Sequence, residues 1–117
     1  MQYNNIDMGT TKVENFSNKQ NVIAILAKAL GHPARIAIID YLLKIDDCIC
    51  GDIVNELSLA QPTVSQHLKE LKNAGLIKGS IEGNAICYCI NEKSLVKLQA
   101  YFDNITAKLE KKKNNCC

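Results

Sequence analysis

The stretch that most limits what this chain can fold into is ELSLAQPTVSQHLKELKNAGLI, from Glu56 to Ile77. Gln61-Pro62 opens a helix, because proline is pre-set for the first helical turn, where its missing N–H is no loss. Val64, Leu68 and Leu71 follow at i, i+4 and i+7 as one apolar stripe, and Gly75 supplies a residue tolerant of the left-handed cap. Upstream, Ile53, Val54 and Leu57 predict a short helix, joined to the next by the tight link Ser58 to Ala60. Two helices with so short a turn form a helix-turn-helix, whose second helix fits the major groove of DNA.

The outer face of that second helix carries Gln61, Thr63, Ser65, Gln66 and Lys69. These are short donors and acceptors suited to base edges and phosphates, where an ordinary solvated helix carries mostly Glu and Lys. The plainer alternative is a polar solvated face. QPTVSQHLKELKNAGLI resembles the recognition helix of the ArsR/SmtB family of metal-responsive winged-helix repressors, and the similarity extends over about Leu26 to Leu109.

A chain of 117 residues with 47% hydrophobic content suits one soluble domain, small enough to gain from dimerising. Its net charge of +2 does not by itself announce nucleic acid, so DNA contact must rest on local placement of Lys and polar groups. No apolar run approaches the ~18 residues that span a membrane, and the N-terminus lacks a signal-peptide core. A cytoplasmic location is expected. There, six cysteines point to metal ligands or redox groups rather than structural disulfides.

Residues 1–16 read as a flexible arm. Ser17 with Gln20 has the form of a capping box, and Val22, Leu26, Ala29 and Leu30 make the apolar face of a first helix ending at Gly31. Pro33 opens a second helix with Ile36, Ile39 and Leu43 expected on one side. LGHPARIAIIDYLL is similar to the family's L-x-x-P-x-R-x-x-I-L-x-x-L stretch, in which Arg35 occupies the arginine position. Arg35 is then a phosphate or interhelix contact, or a surface or capping arginine. His32, beside the proline turn, reads as a cap. His67, on the recognition helix, either touches backbone phosphate or packs its ring.

The chemistry-bearing segment is Asp46-Asp47-Cys48-Ile49-Cys50-Gly51-Asp52. Two thiols two residues apart, leading into a helix, converge on one ion if the chain turns there. Soft thiolates select thiophilic ions over Mg²⁺ or Ca²⁺. CICGDI resembles the family's metal box, with two departures. The third cysteine often found three residues later is Ile53 here. The family's zinc site on the last helix needs histidines, and that helix has Asp103 but none. A third ligand is therefore sought in Cys116 or Cys117, with Cys87 and Cys89 as further thiols.

After the recognition helix, Leu76 to Ile81 and Ala85 to Ile90 predict two strands joined by Glu82-Gly83-Asn84, the wing. Alternation sets Ile86, Tyr88 and Ile90 on one face; if that face is core, Cys87 and Cys89 are exposed together, about 7 Å apart. In the last helix, from Glu92, Leu95, Leu98, Phe102, Ile105 and Leu109 form a narrow seam that wants a partner helix. Lys111 to Lys113 and the cysteines of LEKKKNNCC read as a flexible tail.

The expectation is a mainly α winged helix-turn-helix with a β-hairpin, in the order α-α-α-α-β-β-α, with an arm at 1–16, a domain at 17–110 and a tail at 111–117. The resemblance implies a homodimeric repressor, paired through its first and last helices and bound to double-stranded operator DNA by Gln61, Thr63, Ser65, Gln66, His67 and Lys69. Its expected inducer is As(III) or Sb(III) on Cys48, Cys50 and Cys116 or Cys117, with no organic cofactor. Thiol redox or persulfide sensing, or a response to cadmium, lead or zinc, are the alternatives. No C-x-x-C, Ser/His/Asp set or phosphate loop points to an enzyme.

Overall fold

The computed structural model describes residues 13–45, 49–50, 57–82 and 85–113. A short 3₁₀ turn, Val13–Asn15, precedes helix α1, Asn18–Leu30. The capping box forms as expected: the Gln20 amide donates to the Ser17 hydroxyl and the Ser17 amide to Gln20 Oε1, each at 3.0 Å. Leu26 and Ala29 are buried, with Val22 and Leu30 packed against them.

Helix α2, Pro33–Lys44, is capped by His32, whose Nδ1 accepts from the Ala34 amide at 3.0 Å. Its buried face is Ile38, Ile39 and Leu42, while Ile36 and Leu43 are exposed. Ile39 is thus inward as expected, whereas Ile36 and Leu43 give way to Ile38 and Leu42. Ile36 and Leu43 flank the exposed side that Asp40 and Lys44 mark, so apolar spacing alone blurs the inward side; packing against α1 and the recognition helix selects it.

The chain then forms a two-residue strand β1, Ile49–Cys50, which the sequence reading did not contain. The helix expected around Ile53, Val54 and Leu57 falls mostly outside the described residues. The link through Ser58, Leu59 and Ala60 is a turn, followed by helix α3, Gln61–Ala74. Strands β2, Ile77–Glu82, and β3, Ala85–Ile90, pair antiparallel from Ile77↔Ile90 to Glu82↔Ala85. The wing therefore begins one residue later than expected, and only residues 83–84 separate its strands. β3 is the central strand, since β1 pairs along its other edge in the order β1-β3-β2.

Helix α4, Glu92–Lys112, closes the domain and runs two residues past the expected boundary at 110. Val64, Leu68 and Leu71 of α3 meet Leu26, Ile38, Leu42, Leu76, Ile77 and Leu98 in one core. Each such side chain, withdrawn from water, contributes about 1.5–3 kcal/mol. None of the described helices is long and apolar enough alone to cross a membrane.

Candidate nucleic-acid interface and thiol site

Helical periodicity gives α3 two faces. Val64, His67, Leu68 and Leu71 point into the core, and Gln61, Thr63, Ser65, Gln66 and Lys69 are all exposed. Gln66 Nε2 donates to Glu70 Oε1 at 3.3 Å along the same surface. At its start, the N-cap Ala60 makes no side-chain hydrogen bond, so the helix offers partial positive charge to an incoming phosphate.

The other end is fixed tightly. Gly75 adopts φ 88°, its amide donates to the Lys72 carbonyl, and the Leu76 amide donates to the Leu71 carbonyl, a Schellman ending with Leu76 fully buried. The Gly75 carbonyl accepts from Ser94 Oγ at 2.6 Å and from Asn91 Nδ2 at 2.9 Å. Both donors stand at the start of α4. Sequence spacing gives no sign of this tie, because neither residue belongs to an apolar pattern.

His67 is not on the exposed face. It is 9% exposed, its ring centroid lies 4.3 Å from that of His32, and its Nδ1 accepts from Arg35 Nε at 3.1 Å. Of its two expected roles, phosphate contact or ring packing, the structure shows the second. Burial, followed by the positive potential of His32 and Arg35, lowers the His67 pKa below its ordinary value, with Glu70 opposing. Arg35 also donates through Nη1 to the Ala29 carbonyl at 3.3 Å. It is therefore an interhelix contact, joining α1, α2 and α3.

Of the expected thiol ligands, Cys48, Cys116 and Cys117 lie outside the described residues. Cys50 ends β1 and is the Cα partner of Cys87 on β3. Cys87 is 2% exposed and Cys89 half-buried, so the expectation that both are exposed is corrected for Cys87. Tyr88 and Ile90 do pack against the core as supposed, yet Cys87 on the opposite face is buried as well. Cys87 and Cys89 are both disulfide-bonded. Among the described residues, no three His, Cys, Asp or Glu side chains form a group able to hold a metal ion.

Residues 32–78 match the family of bacterial regulatory proteins described as the arsR family. Over 84 residues the chain is 38% identical to an uncharacterized HTH-type transcriptional regulator of Methanocaldococcus jannaschii, covering 68% of this chain and 93% of that protein. It is 38% identical over 73 residues to the HTH-type transcriptional repressor SmtB of Mycobacterium tuberculosis, covering 62% of this chain. That match spans about half, 53%, of the mycobacterial protein. A biofilm growth-associated repressor of Agrobacterium fabrum is 30% identical over 93 residues, covering 80% of this chain and 79% of the relative. In fold, an ArsR-like transcriptional regulator from Rhodococcus sp. RHA1 superposes with a TM-score of 0.72 at 19% identity, covering 85% of this chain and 92% of that one. These relatives are transcriptional regulators and not enzymes. With the winged helix-turn-helix, the polar face of α3 and these matches together, the chain belongs to the ArsR/SmtB family of transcriptional regulators.

Proposed function

We propose that the chain is a homodimeric repressor that holds a two-fold symmetric operator and releases it when thiolates bind As(III) or Sb(III). The exposed Gln61, Thr63, Ser65, Gln66 and Lys69 would enter successive major grooves about 34 Å apart. Pairing through α1 and α4 is supported by the apolar surface they leave open: Phe16 and Ile25 near one, Val96, Phe102, Ile105 and Leu109 along the other. The observation that carries the thiol part is the register Cys50↔Cys87, which sets one cysteine from each C-x-C stretch opposite the other on neighbouring strands. Cys48 and Cys50 supply two thiolates. A bound ion then favours a dimer arrangement that no longer matches the grooves, and a coupling of ~1–3 kcal/mol weakens binding some 5- to 150-fold.

The disulfide bonding of Cys87 and Cys89 favours a second reading, in which the same dimer responds to oxidants through its thiols. Fluorescence anisotropy of the reduced protein on its promoter DNA separates the two, with arsenite, cadmium, zinc and a mild oxidant titrated in parallel. Release at near-stoichiometric arsenite, abolished in Cys48→Ser/Cys50→Ser, supports the metalloid sensor. Indifference to every metal with release by oxidant assigns the protein to redox sensing, and no salt-dependent operator binding at all would sink both.

A further inference from the structure

We propose that the third thiolate for the inducer comes from the wing strand β3, from Cys87 with Cys89 beside it, and not from the C-terminal tail. This rests on the metalloid-sensor reading and deepens it. Cys50 and Cys87 are Cα partners in an antiparallel pair. Such partners stand about 4.5–5.5 Å apart, inside the ~4.4–6.8 Å over which two cysteines can join their sulfurs, so one ion is within reach of both strands. Cys89 lies two residues on, on the same side of β3. Both β3 cysteines are disulfide-bonded, so each already stands at bonding distance from another cysteine's sulfur. In contrast, every described residue from Phe102 to Lys113 is exposed, so the helix that leads to Cys116 and Cys117 packs on nothing near β1 among the described residues.

The chemistry balances without redox change at the metalloid. A thiol reductant first opens each disulfide with two electrons and two protons. Three cysteine thiols then pass their protons to the three hydroxides of arsenous acid, three As–O bonds give way to three As–S bonds, and three waters leave. The position of the site explains how binding reaches DNA. β3 pairs with β1 on one edge and with β2 on the other, and β2 begins just after Gly75, the cap of the recognition helix. An ion shared by Cys50 and Cys87 therefore ties β1 to β3 and acts on the recognition helix through β2, which is paired to β3 and follows Gly75.

The test uses the full chain, reduced under anaerobic conditions, with arsenite as the probe. X-ray absorption counts As–S bonds, and thiolate-to-arsenic absorption gives affinity. Wild type and Cys116→Ser/Cys117→Ser are expected to show three As–S bonds and equal affinity. Cys87→Ser is expected to show two, with affinity lowered more than about 10-fold, since even losing a residue that merely orients a ligand weakens metal sites ~10–100-fold. The reverse pattern, a loss in the tail variant and none in Cys87→Ser, overturns the proposal. Unchanged arsenite binding in Cys48→Ser/Cys50→Ser instead defeats the sensor reading beneath it. Because Cys87 is buried, wild-type labelling provides a check free of folding defects: arsenite is expected to slow iodoacetamide labelling of Cys87 and Cys89 and leave Cys116 and Cys117 unaffected, and the opposite pattern refutes it.

Discussion

Arg35 donates through Nε to Nδ1 of His67 at 3.1 Å, and that single bond fixes the histidine as the tautomer with its proton on Nε2. A second proton would have to sit on Nδ1, facing the guanidinium. Burial, His32 and Arg35 all lower the His67 pKa, outweighing Glu70. The folded state therefore resists protonation that the unfolded chain accepts near pH 6.5. Stability is expected to hold above about pH 6.5 and to fall as pH drops below it, through the window down to the lowered folded value. Thermal melts from pH 7.5 to 5 would show this slope in wild type and a flatter one in His67→Gln; equal slopes would contradict it.

Removing the donor has its own cost. Arg35→Ala leaves the buried Nδ1 of His67 and the Ala29 carbonyl without this partner, and an unsatisfied buried acceptor costs about 1–3 kcal/mol. Urea unfolding is expected to show a lowered midpoint with an unchanged slope. A midpoint within error of wild type would mean that water replaces the guanidinium at no cost.

Gly75→Ala isolates backbone strain. An added Cβ would meet Ser94 Oγ at 3.7 Å, an ordinary contact, so the penalty is conformational and comes from φ 88°. About 1–2 kcal/mol of lost stability is expected by chemical denaturation. Loss well above that would show that the helix ending, and not merely the dihedral, had failed.

On the exposed face of α3, Lys69→Ala is expected to weaken binding similarly across DNA sequences and to reduce the salt slope by about 1. Gln66→Ala is expected to lower the preference for the operator over random DNA instead. Equal losses on both DNAs for Gln66→Ala would place it on phosphate.

The seam on α4 predicts assembly. Phe102 is 52% exposed and Leu109 65% in the single chain. Phe102→Glu/Leu109→Glu is expected to halve the mass measured by light scattering and to weaken operator binding while helical content per residue is kept. A dimer that survives both charges would place the interface elsewhere.

The recognition helix and its surroundings were legible because each boundary has a local chemical cause: Pro62 at the start, Gly75 at the end, Val64, Leu68 and Leu71 between. Ser17 and Gln20 announced α1 in the same way. Helix α2 was legible in extent and only partly in orientation: Ile39 is inward, but Ile36 and Leu43 border the exposed side of Asp40 and Lys44 and widen the apolar arc beyond what the core covers. What escaped the sequence was long-range. A two-residue strand such as Ile49–Cys50 has no period, and the pairing of Cys50 with Cys87 depends on where the wing lies in space. The contact of His67 with His32 and Arg35 joins two helices through residues whose types alone allow several roles.

The Gly75 carbonyl has a further consequence. Its two donors, Asn91 and Ser94, are the N-cap and a first-turn residue of α4, so the cap of α3 is pinned to the start of the helix with the open apolar seam. The two helices form a bell crank with a hydrogen-bonded elbow. A swivel of α4 is expected to reach α3 through these two hydrogen bonds as a change of pitch.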